Sequence, residues 1–85
     1  MDYKEQIQKS YNRIVEPLKS YSGETNTIDG MLDYMQLFGE VMLDFASTMN
    51  NHYQQLTNIQ PGKSKEIENY INQLKSKLIK NYKPK

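Results

Sequence analysis

The residues able to do chemistry are few, and their spacing limits what they could do. His52 is the only imidazole and there is no cysteine. One histidine without thiolates or a second imidazole cannot make a zinc site. A Ser/His/Asp relay needs a nucleophile spaced beside the base, and no such spacing is legible around His52. It falls among Asn50, Asn51, Gln54 and Gln55, where a surface histidine is expected. The carboxylates Asp29, Asp33, Glu40 and Asp44 lie within about 60° of one another on a helical wheel. That stripe could meet a cation or a basic partner. However, it has no tight loop to gather the six or more oxygens calcium needs, and no Glu-x-x-His pair for a bundle di-metal centre. A solvated acidic face is the expectation, with no metal and no cofactor. A glycine-rich phosphate loop is absent as well, so the chain reads as a non-enzyme.

Two further groups of residues could recognise a partner. The first is an apolar, methionine-rich arc carrying Met31, Tyr34, Met35, Leu37, Phe38, Val41, Met42 and Phe45. Methionine is unbranched and adaptable, which suits both a core and a face that accepts another protein. The second is the lysine-rich end with Lys75, Lys77, Lys80, Lys83 and Lys85, near Tyr70 and Tyr82. Lysines could neutralise phosphates and tyrosines could stack on bases. Mixed with glutamates and lacking arginine, this end is a weak nucleic-acid footprint.

The elements that must position these residues follow from periodicity. Ile28, Met31, Leu32, Met35, Phe38, Met42, Phe45, Met49, Tyr53 and Leu56 recur every three or four positions, which predicts one long helix over 28–58. Between residues 31 and 46 its apolar arc exceeds half the wheel. Tyr34, Leu37 and Val41 extend it on one side, the flank expected to stay uncovered and to pair with a second copy, and Leu32 and Leu43 on the other. A helix apolar nearly all round must be buried nearly all round. Gly39, mid-helix, suggests a close helix crossing or a joint.

Tyr3, Ile7, Tyr11, Ile14, Leu18 and Tyr21 predict a helix over 3–21. Asp2 and Glu5 could form its capping box, Pro17 a kink near residues 13–16, and Gly23 a left-handed stop. Asn26 or Thr27 can cap the long helix. Pro61-Gly62 marks a turn, and Ser64 can cap a third helix over 65–81 with Ile67, Ile71, Leu74 and Leu78 on its stripe. Residues 82–85 are expected to fray.

The expected fold is therefore all-α. It is a single domain over 1–85, a three-helix antiparallel arrangement (short–long–short) that dimerises into a larger helical bundle. The outer helices are expected to overlap fully only around the centre of the long one. Charge is segregated along it: residues 1–27 sum to zero, 28–59 to −4 and 60–85 to +5. An acidic rod beside a basic end favours association within or between chains. No apolar run approaches the ~18 residues of a membrane span, and the start lacks the order of a signal peptide. A cytoplasmic chain is expected, with export by a signal-less route as the alternative.

These features point to a protein–protein interaction module (an adaptor, small chaperone or structural subunit) using the apolar arc, with a homodimer as the expected partner arrangement. The alternative is a nucleic-acid-binding regulator using the lysine-rich end.

Overall fold

A computed structural model describes residues 2–84. Those residues form three α-helices, α1 (Tyr3–Lys19), α2 (Ile28–Ile59) and α3 (Ser64–Tyr82), with no strand. None of the described helices is long and apolar enough to cross a membrane.

The helix ends show which local signals operate. Thr27 caps α2, its Oγ1 accepting from the Gly30 amide at 3.0 Å. Asp2 is the N-cap of α1, but its side chain makes no capping bond; its carbonyl instead accepts from the Glu5 amide at 3.1 Å. The capping box is therefore not formed. α1 runs unbroken through Pro17, which falls in its last turn. There, little helix remains beyond the missing amide donor. The stop does not use Gly23, since no described residue has a positive φ. Instead the Ser20 amide and hydroxyl both donate to the Glu16 carbonyl, at 2.9 and 2.8 Å. A short 3₁₀ turn, Pro61–Lys63, delivers the chain into α3, so Ser64 is the first helical residue rather than the cap.

Pairings between side chains place the helices. Tyr11 meets Phe45 edge-on at 6.3 Å, Ser10 lies against His52, and Tyr21 meets Tyr34 at 5.2 Å. Positions on α2 thus fall as those on α1 rise. Tyr70 stacks edge-on with Tyr3 at 6.3 Å and donates to Gln8 at 2.9 Å, while the Tyr34 hydroxyl donates to the Tyr82 carbonyl at 2.7 Å. So α1 and α3 lie side by side along the same stretch of α2. The expected overlap confined to the rod's centre does not occur. The result is a rod of 48 × 18 × 17 Å, its length matching the ~48 Å of a 32-residue helix.

α1, not α2, is the most deeply buried element. Seven of its seventeen residues are buried against five of thirty-two in α2. α1 sits in the groove between the other two helices, so its single stripe is covered from both sides. Ile7, Ile67 and Leu78 are completely enclosed. Burying an aliphatic side chain of this size contributes ~1.5–3 kcal/mol.

Candidate interaction surface

The two outer helices cover one face of α2 and leave the other open, which divides the expected eight-residue face. Val41 and Phe45 are buried in the chain's own core. Tyr34, Leu37, Phe38 and Met42 are half-buried and pack against that core. Met31 and Met35 are exposed, at 40% and 50%. The expectation that Tyr34, Leu37 and Val41 form the uncovered flank is therefore overturned. α1 and α3 pack beside each other and reach that flank, so it is the opposite one that stays bare. There Ile28 is 77% exposed, Leu32 57% and Leu43 74%. With Met31 and Met35, they form an apolar stripe about 120° around α2 from its core-facing side.

Gly39 lies in this stripe. A Cβ built on it meets nothing within 4 Å, so no crossing among the described residues requires it. The close approach is at Gly30 instead, which is buried. A Cβ there would overlap the Glu24 carbonyl oxygen. The same connector is tied by Tyr21, whose hydroxyl donates to the Gly30 carbonyl at 3.1 Å. Gly30 lies only two residues beyond a cap, where a glycine carries no distinctive signal, so sequence reasoning passes over it.

Two concavities adjoin the stripe. One of about 510 Å³ lies between Leu18, Tyr21, Met31, Tyr34, Met35 and Tyr82. Its tyrosine hydroxyls at positions 21 and 34 are already spent on backbone carbonyls. The other, about 530 Å³, is an open α2–α3 groove floored by Met42, Phe45, Met49, Tyr53 and Ile71 and rimmed by Glu68 and Lys75. Both are extensions of the apolar stripe rather than enclosed ligand sites.

The polar candidates are placed as follows. Asp29, Asp33, Glu40 and Asp44 are all exposed beside the stripe; Asp44 accepts from the Thr48 hydroxyl at 3.1 Å. No three His, Asp or Glu side chains gather among the described residues. His52 is not a free surface group. It is half-buried, its Nε2 2.8 Å from the Oγ of buried Ser10. That is the spacing of a nucleophile and a base. Ser10 sits mid-helix, though, with its own amide in the helical ladder, where it cannot serve as an oxyanion donor. The bond ties α1 to α2.

Lys75, Lys77, Lys80 and Lys83 are exposed, and Lys85 lies outside the described residues. Lys75 and Lys77 point about 160° apart around α3, so the lysines do not make one face. Tyr70 is engaged with Tyr3 and Gln8, and Lys4 lies over its ring at 5.9 Å. Tyr82 is half-buried and ends α3 with its carbonyl bonded to Tyr34, so fraying does not begin there.

Burial raises the Tyr11 and Tyr34 phenols above their ordinary 10.0, with Tyr82 adding to both. The Tyr11 hydroxyl is buried with no hydrogen-bond partner among the described residues. No family model matches the chain, and neither does a curated protein or a solved structure.

Proposed function

We propose that this chain is a small helical protein–protein interaction module, an adaptor, small chaperone or structural subunit rather than an enzyme. It is a short–long–short antiparallel arrangement in which α1 and α3 brace one face of α2 and present the other to a protein partner. The observation that carries this reading is the concentration of exposed large apolar side chains. Five of the six among the described residues are Ile28, Met31, Leu32, Met35 and Leu43, all on one stripe in the first half of α2. Scattered single apolar residues need no explanation, but a contiguous patch does. The binding residues are therefore those five with half-buried Met42 at the edge, replacing the core residues Val41 and Phe45.

A photoreactive residue placed at Leu43, and in a second variant at Lys77, tests this in cells. Protein adducts from position 43 and none from 77 support it, whether the adduct carries a second copy or a different protein. Adducts only from position 77, with a salt-sensitive shift of labelled RNA or DNA by the purified chain, would replace it with the nucleic-acid reading.

A further inference from the structure

We infer that the α2 stripe is self-complementary and that two copies pair through it antiparallel, with the two-fold axis at Gly39. This deepens the interaction-module reading and rests on it. Three observations meet here.

The first is the position of Gly39. A helix-interior glycine carries a cost that some contact normally offsets. Among the described residues nothing lies within 4 Å of a Cβ built on Gly39, and it sits in the middle of the bare stripe. A helix passing closely over that point supplies the missing reason, since only glycine lets two backbones come so near.

The second is the pattern around it. Ile28, Leu32, Met35, Gly39, Met42 and Ala46 step by four and three, the spacing of a helix-pairing seam. In an antiparallel pair centred on Gly39, Leu32 lies over the partner's Ala46 and Met35 over the partner's Leu43. Bulky side chains thus meet small or complementary ones. A parallel pair would set Leu32 on Leu32 and Ala46 on Ala46, crowding one layer and emptying another. The antiparallel register also avoids like charges: Asp29 lies across from the partner's Met49. Asp33, Glu40 and Asp44 stand about 100–140° from the stripe's centre, outside the contact.

The third is area. The bare parts of the five apolar side chains amount to roughly 500–600 Å² per copy, at the top of what a monomer keeps exposed. Covering two such faces removes about 1,000–1,200 Å² from water, the lower bound for a specific interface. The pairing is therefore a reversible, concentration-dependent dimer.

The chain has no cysteine, which makes single-cysteine crosslinking unambiguous. Expected results are a doubling of the 10.0 kDa mass in sedimentation equilibrium between low micromolar and about 200 µM, and disulfide formation between Met35→Cys and Leu43→Cys when the two variants are mixed. Leu32→Cys should not crosslink to itself, because its two copies stand roughly 20 Å apart, but should crosslink when mixed with Ala46→Cys. Leu43→Asp should stay helical by circular dichroism and lose at least tenfold in dimer affinity. Self-crosslinking of Leu32→Cys would mean a parallel pair and overturn the register. A strict monomer would overturn self-pairing while leaving the interaction module intact through adducts of a different protein at position 43. A dimer indifferent to Leu43→Asp and without the 35–43 crosslink pairs through another face and would overturn this inference, while the adducts at position 43 decide the interaction module separately.

Discussion

Two glycines in one helix carry opposite consequences, and each follows from what a single methyl group would meet. At Gly30 a Cβ would overlap the Glu24 carbonyl, part of the backbone and unable to swing aside. Gly30→Ala is therefore expected to destabilise the chain by about 2 kcal/mol or more, the range of overpacked sites, seen as a lowered urea midpoint. At Gly39 the space is open, and Gly39→Ala should stabilise the monomer by ~1 kcal/mol through helix propensity alone. Tyr11 offers a third test. Its hydroxyl is buried without a partner among the described residues, so Tyr11→Phe is expected to be neutral or stabilising in thermal denaturation. Burial, then Tyr82, raises its pKa and that of Tyr34 above 10.0. As pH climbs past about 10 the unfolded chain loses these protons first and binds fewer than the folded chain, so stability falls. Below that range both states keep them and these groups contribute no pH dependence. Tyr11→Phe should flatten the alkaline loss, measured by denaturant titration at several pH values.

At the scale of elements, the shortest helix holds the core together. α1 is inserted between α2 and α3, and Ile7 is fully enclosed. Ile7→Ala is expected to cost about 2–5 kcal/mol, enough to unfold much of a chain this small, with helical signal lost together across all three helices. The two sides of α2 respond differently to charge. Val41→Asp places a carboxylate in the buried core and should abolish folding, whereas Leu43→Asp, on a residue 74% exposed, should leave the thermal midpoint of the monomer nearly unchanged. Circular dichroism of the two purified variants separates the faces of one helix.

For the whole molecule, shape decides what can be covered. A compact chain of 85 residues would have a radius of gyration near 12 Å; this one has 14.7 Å. The excess comes from α2, which sets the rod's 48 Å length. Two neighbours placed side by side against it cover one face along its length and cannot also reach the opposite one.

Much of this was determined by the sequence by itself. Apolar residues every three or four positions, Thr27 before the long stripe, and Pro61-Gly62 between stripes specify three helices to within two residues at each end, because these are local constraints of backbone and cap. The presence of a surplus apolar arc was equally legible. Which flank of that arc stays bare was decided only by the tertiary structure. Tyr34, Leu37 and Val41 are as apolar as Ile28, Leu32 and Leu43, so periodicity alone treats the two flanks alike. The choice came from α1 and α3 lying beside each other, held by Tyr3 on Tyr70 and Tyr70 on Gln8. The Ser10–His52 bond, the overlap that requires Gly30 and the open space at Gly39 depend likewise on residues distant in sequence or on a backbone path, and a one-dimensional pattern holds no record of either.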